Sequence, residues 1–191
     1  IFKEKFGNDS PEVYTSPGRV NLIGEHTDYN NGYVLPAAID RGISLYFSFP
    51  EGLVKFELYS ANMESYQSFG LADPPLPQKN WAKYLQALVH LIRDEEGVEV
   101  PCFQVSLYST IPTGGGLSSS AALSAGFIMA INEQGKHRWS VKKMAQLAQF
   151  TEHRIGVRVG IMDPYAILAG QKDHFILINC RSNDYSIIAA N

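Results

Sequence analysis

Hydrophobic and polar positions alternate with a period of two at several places, and most of the strands this predicts fall early in the chain. Ile43, Leu45, Phe47 and Phe49 interleave with Ser44, Tyr46 and Ser48, the pattern of a strand with one buried face. Pro50-Glu51-Gly52 turns the chain, after which Val54, Phe56 and Leu58 alternate with Lys55 and Glu57. These two runs are expected to pair as a hairpin. A strand is also predicted over Val13 to Asn21, ahead of the turn-rich GEHTDYNNG and an apolar run from Tyr33 to Ile39. Phe103, Val105, Leu107 and Ile111 alternate with Gln104, Ser106, Tyr108 and Thr110, giving a strand that leads into PTGGGLSSSAAL. Short strands at Phe175 to Ile178 and Tyr185 to Ala189 close the series.

The helical period takes over between these strands. Ser68 to Asn80 contains Pro74, Pro75 and Pro77 and is predicted to be an irregular connection. Trp81, Tyr84, Leu85, Leu88 and Ile92 then follow helical spacing, with Asn80 placed to cap. A helix is expected from Ser118 to about Ile131, and another from a Ser140 cap with Val141, Met144, Leu147 and Ala148 on one face. Early strands with helices interleaved later, and no regular βαβ repeat, predict an α+β domain with helices on one face of a mixed sheet. No internal repeat or low-complexity segment is present.

Composition narrows the class. The chain has 191 residues, enough for one domain on the usual scale of about 100–200 residues each. Charged residues make up 18% against about 25% in typical domains, so a folded, rather apolar domain is expected and global disorder is excluded. Lys plus Arg is 16 and Asp plus Glu 19, a net charge of -3, with no long basic run. Nucleic acid and anionic membrane are therefore poor partners. Cys102 and Cys180 form no CxxC pair, so neither a zinc site nor a disulfide framework is signalled. The N-terminus lacks a leader pattern and no stretch of about 18 apolar residues occurs, which predicts a soluble, cytoplasmic protein. Ile1 is not Met and Asn191 closes a strand-like run, so the chain is expected to be part of a longer one.

The feature richest in chemistry is Pro112 to Ala122, where Gly114, Gly115 and Gly116 link a strand to a helix opening with Ser118, Ser119 and Ser120. Glycines let backbone N–H groups approach an anion, and a helix N-terminus adds further N–H groups with partial positive charge. Serine hydroxyls can donate to phosphate or ligate Mg2+ through oxygen. The Lys of a Walker A loop is missing, and the spacing is not GxGxxG. A plain strand-to-helix connection with a serine cap needs only one serine, so three glycines and three serines favour nucleotide phosphate. A second cluster, Arg19, Glu25, His26 and Asp28, offers groups suited to a sugar's hydroxyls. Arg19 can stabilise charge developing on a phosphoryl group. The plain alternative is a turn held by Asp28 and an ion pair between Glu25 and Arg19.

SPGRVNLIGEHTDYNNGYVLPAAID resembles the signature of the galactokinases, PTGGGLSSSAAL resembles the phosphate loop of the GHMP kinases, and GVRVGIMDPYAILAGQKDHFILINCRS resembles the galactokinase GIMDQ region. The matches run in family order over residues 14 to 182. The resemblance implies the GHMP kinase N-terminal fold (ribosomal protein S5 domain 2-like), with a nucleotide- and sugar-binding domain over residues 1–160 and the start of a C-terminal domain at 161–191. It also implies ATP-dependent phosphorylation of galactose at its anomeric hydroxyl, with Mg2+. Arg19 would be the catalytic arginine and Asp163 its acidic partner. Glu25, His26, Asp28 and the backbone at Gly160 would hold sugar hydroxyls. Gly114, Gly115, Gly116, Leu117, Ser118, Ser119 and Ser120 would wrap the triphosphate, with Ser120 and Glu152 at the metal.

The residues themselves leave a second role open for Asp163, since Asp before Pro164 also reads as a helix N-cap. A nearby Arg would make Asp163 orient the sugar hydroxyl rather than strip its proton before transfer. Three departures bear on the sugar. Pro164 stands where galactokinases usually carry Gln, Tyr165 to Leu168 resembles galacturonokinases as much, and Ser124 replaces a common Glu. A kinase for galacturonate or N-acetylgalactosamine is the alternative, with Arg154 and Arg158 as candidate donors to a uronate. A non-catalytic sugar- and ATP-sensing homologue has no need of both Arg19 and Asp163. Family members close the site with a C-terminal domain, so these residues alone are expected to show little or no turnover.

Overall fold

Strand β1 (Glu12–Asn21) contains Pro17, which a strand paired on both sides could not accommodate because proline has no N–H for the ladder. In the computed structural model, which describes residues 1–7 and 10–190, β1 is an edge strand bonded only to β3 (Pro36–Ser48). Their register shifts between Pro17, opposite Gly42, and Arg19, opposite Ala38. Such a bulge re-aims the side chain that follows it, here Arg19.

The main sheet is completed by β4 (Phe56–Ser60), β5 (Ser65–Phe69) and β6 (Gln104–Ser109), in the order β1-β3-β6-β4-β5. It is mixed, because β4 and β6 run parallel while the other pairs are antiparallel. The expected hairpin between the Ile43–Phe49 and Val54–Leu58 runs is therefore overturned. β6 inserts between them, pairing Leu45 with Leu107 and Leu58 with Val105. The hairpin that forms is β4–β5, with Phe56 opposite Phe69, and the irregular connection begins only after Phe69.

Alternation places Leu45, Phe47, Leu58, Phe103 and Val105 on the inner face, all fully buried. Against them lie α2 (Lys83–Glu96), α3 (Ser119–Gln134) and α4 (Val141–Arg154). The short α1 (Phe2–Phe6) lies toward the other face, beside Tyr46 and Tyr108. Asn80 bonds the Ala82 N–H at 2.9 Å, ahead of α2. Ser140 caps α4 through the Lys143 N–H at 3.2 Å, as its spacing predicts. The buried face of α3 is rich in small residues, Ala121, Ala122, Ala125 and Ala130, which lets that helix sit close to β1 and β3. A second, three-stranded sheet joins β2 (Tyr33–Val34) to the hairpin of β7 (His174–Asn179) and β8 (Asp184–Ala189), in the order β2-β7-β8. It packs with α5 (Met162–Leu168) around Tyr165, Ile176 and Ile178. Asn191, the end of the expected second domain, lies outside the described residues. No helix among the described residues is long and apolar enough to cross a membrane.

Candidate active site

Arg19 leaves the β1 bulge with its side chain only 14% exposed and meets Asp163, 23% exposed, from the first turn of α5. The pair is bidentate, with Arg19 Nε donating to Asp163 Oδ1 at 2.5 Å and Nη2 donating to Oδ2 at 2.9 Å. Two parallel charge-assisted bonds fix orientation as well as contributing energy. The third guanidinium nitrogen, Nη1, donates to the Gly116 carbonyl at 2.7 Å, and the Arg19 N–H donates to the Leu117 carbonyl at 3.2 Å. One arginine thus joins the polar turn's strand, the glycine loop and α5.

This geometry decides against two of the plain alternatives. Glu25 does not pair with Arg19; it is exposed and accepts from Asn21 Nδ2 at 3.2 Å. Asp163 is not an N-cap, because α5 begins at Met162 with Ile161 as its cap residue, and the Asp163 carboxylate points to Arg19. Pro164 is tolerated because a first-turn residue has no intrahelical use for an N–H. Ser118 precedes α3 but makes no side-chain cap bond; it sits in the left-handed region at φ 58 and its hydroxyl donates to Asp163 instead. The carboxylate therefore receives three donors. Two oxygens offer about four lone-pair sites, which leaves room for one more hydroxyl.

The glycine loop is exposed from Pro112 to Gly116, with Gly114 at φ 73 and Gly116 at φ 66. Both conformations favour residues without a Cβ, and the space beside both is open. The first-turn N–H groups of α3, from Ser119 and Ser120 onward, lie at the loop's end, where a helix leaves its donors free.

On the other side of Arg19, a cleft of about 480 Å³ is lined by Glu25, His26, Asp28, Gly116, Gly160 and Asp163, among others. His26 is at φ 62. Asn30 Nδ2 holds its carbonyl at 2.7 Å and the Tyr29 hydroxyl contacts its ring nitrogen Nδ1. Asp28 accepts from the Tyr29 N–H at 2.9 Å, so the expected turn-holding role and a place in the cleft coexist. A methyl group at residue 160 would overlap the Asp28 carboxylate, so glycine is required there for this close approach. Of the two candidate uronate donors, Arg154 is committed to Asp94 at 2.5 Å, whereas Arg158 lines the cleft.

Glu152, on the last turn of α4, is 5% exposed. Its carboxyl is pushed upward mainly by burial; the Ser120 hydroxyl opposes this and the Asp163 charge adds to it. The Ser120 hydroxyl neighbours both Glu152 and Tyr84 and tempers the upward shift of each. Asp28 is likewise raised, first by burial. A carboxylate raised on folding binds more protons folded than unfolded, so stability falls as pH rises between its ordinary and its raised value. Asp28→Asn and Glu152→Gln are each expected to flatten that slope in urea denaturation across the acid range; an unchanged slope in both would refute the burial argument.

Mg2+ takes hard oxygen ligands, commonly one or two carboxylates completed by substrate phosphates and water. Among the described residues no group of three or more His, Cys, Asp or Glu converges. The buried Glu152 carboxylate beside Ser120 is a donor set of the kind a phosphate-bridged cation uses.

The chain is similar to known proteins in sequence and in fold. Residues 1–49 match the galactokinase galactose-binding signature and residues 83–171 the GHMP kinases N terminal domain. The galactokinase of Glaesserella parasuis is 33% identical over 187 residues, 97% of this chain and 48% of its own length. Over residues 83–171 the chain carries the GHMP kinases N terminal domain. Human galactokinase is 35% identical over 195 residues, covering 98% of this chain and 49% of that protein. Among solved structures, Lactococcus lactis galactokinase complexed with galactose superposes with a TM-score of 0.92 at 33% identity, over all of this chain and 50% of that one. Methanococcus jannaschii mevalonate kinase shares the GHMP fold at a TM-score of 0.77 and 20% identity. The chain spans about half the length of the relatives it matches.

Proposed function

We propose that the protein is a galactokinase: with ATP and Mg2+ it phosphorylates galactose at the anomeric hydroxyl, in the cytoplasm where ATP is supplied. The observation that carries this is the Arg19–Asp163–Ser118 unit, set between the glycine-serine loop and the polar cleft. Residues 1–160 supply the loop and most of the cleft, which Met162 and Asp163 complete, and residues 161–191 begin the second domain. Asp163 orients the anomeric hydroxyl with its remaining lone pair. Arg19, tied to the loop carbonyl of Gly116, stabilises charge on the phosphoryl group as it passes between the two surfaces. The loop N–H groups hold the nucleotide phosphates, while Glu25, His26, Asp28 and the Gly160 backbone fix the sugar. Glu152 and Ser120 would hold Mg2+ together with the phosphates, and the ion would supply neutralisation of their charge. Holding the two reactants in line is most of what this chemistry needs.

A panel of galactose, N-acetylgalactosamine, galacturonate and other hexoses, assayed for ADP release by the full-length protein, tests the reading. Galactose is expected to be the preferred acceptor. Preference for galacturonate, which Arg158 at the cleft would serve, would replace the sugar but keep the reaction; no turnover of any sugar would refute it.

A further inference from the structure

The peptide between Val159 and Gly160 is gripped from one side. Two residues one turn apart on α4 reach the same carbonyl, with Gln149 Nε2 donating to Val159 O at 3.2 Å and His153 Nε2 at 2.9 Å. A carbonyl with two lone pairs can accept both. The described residues contain no cis peptide, and in a trans peptide the C=O and the following N–H point in opposite directions. Pinning the Val159 carbonyl onto α4 therefore turns the Gly160 N–H away from α4. Gly160 is buried, lies against the Asp28 carboxylate and lines the cleft. Its N–H makes no hydrogen bond among the described residues. A buried donor left without a partner is costly, and it finds one when a ligand oxygen enters the cleft.

We propose that Gln149 and His153 are positioning residues for substrate: by holding the Val159 carbonyl they aim the Gly160 N–H into the cleft as a fixed donor to a sugar hydroxyl. This rests on the sugar-kinase reading above. Neither side chain needs to touch the sugar. The same turn of α4 carries Glu152, so one helix end sets both the acceptor side and the nucleotide side of the reaction.

The test uses the full-length protein with His153→Leu, Gln149→Leu, the double variant and His153→Gln, each checked for an unchanged melting temperature. Misdirecting one donor that contributes about 0.7–1.4 kcal/mol, within the usual range for a hydrogen bond, is expected to raise the galactose KM about threefold to tenfold in each leucine variant. The KM for ATP should stay within about twofold, since no nucleotide contact changes. His153→Gln retains an amide donor and should recover most of the loss. The Val159 carbonyl 13C resonance should move in the leucine variants and return toward the wild-type position in His153→Gln. The proposal is overturned if wild type turns over galactose and the double variant keeps its KM, or if galactose and ATP constants worsen together. A wild type inactive on every sugar would instead refute the underlying function, and the inference with it.

Discussion

Under the proposed galactokinase function, alanine at Asp163 is expected to lower the turnover of the full-length protein by about a hundred- to ten-thousand-fold, the range over which a positioned acid or base contributes, while ATP-analogue binding persists. The geometry makes a sharper statement possible through a double-mutant cycle with Arg19→Met. Arg19 and Asp163 share two hydrogen bonds, and Ser118 adds a third to the same carboxylate. Removing Asp163 leaves Arg19 with only the Gly116 and Leu117 carbonyls; removing Arg19 leaves Asp163 with Ser118 alone. Residues that act as one unit lose most of their effect with the first deletion. The double variant is therefore expected to be no more than about threefold slower than the worse single variant. Asp163→Asn, which keeps the shape but not the charge, separates orientation from electrostatics. Additive losses would mean that the two residues work independently, and an unchanged rate in Asp163→Ala would remove both from the chemistry.

That unit was only half legible in the sequence. Arg19 and Asp163 are legible as candidates because each lies inside a contiguous motif, and the polar turn and the glycine-serine loop are readable for the same reason. What joins them is 144 residues of chain separation, and local reasoning filled the gap with local partners. It offered Glu25 for Arg19 and a helix cap for Asp163. Both fail because a bidentate charge-assisted pair in a partly buried setting outcompetes an exposed ion pair and a capping bond of about 1 kcal/mol. Strand positions were readable from alternation, but pairing was not. The runs around Phe47 and Phe56 look adjacent because a turn joins them, yet β6, nearly fifty residues further on, fits between them. Alternation states which face is buried; it does not state the neighbour. Tyr84 was read correctly as helical and partly apolar, while its hydroxyl's place beside Ser120 depends on α2 and α3 packing together.

The insertion of β6 also predicts where the fold is most sensitive. Phe103, at the entrance to β6, is fully buried, and its ring lies 5.0 to 5.9 Å from those of Phe47, Phe49, Phe56 and Phe127. Those partners come from β3 and its end, β4 and α3, so one ring seals the order β3-β6-β4 and seats the helix that follows the glycine loop. Phe103→Ala is expected to cost about 3–5 kcal/mol, a large share of the roughly 5–15 kcal/mol that holds a domain folded. At about 2–4 °C per kcal/mol for a domain of this size, the melting temperature should fall by about 6–20 °C. Phe103→Leu keeps most of the volume and should cost under about 1.5 kcal/mol. Phe103 is absent from the residues lining the cleft, so the alanine variant's folded fraction should keep its galactose KM. A loss below about 1 kcal/mol would show that the surrounding rings collapse into the vacated space. A raised KM at unchanged stability would show that this ring cluster is coupled to the chemistry, which the packing argues against.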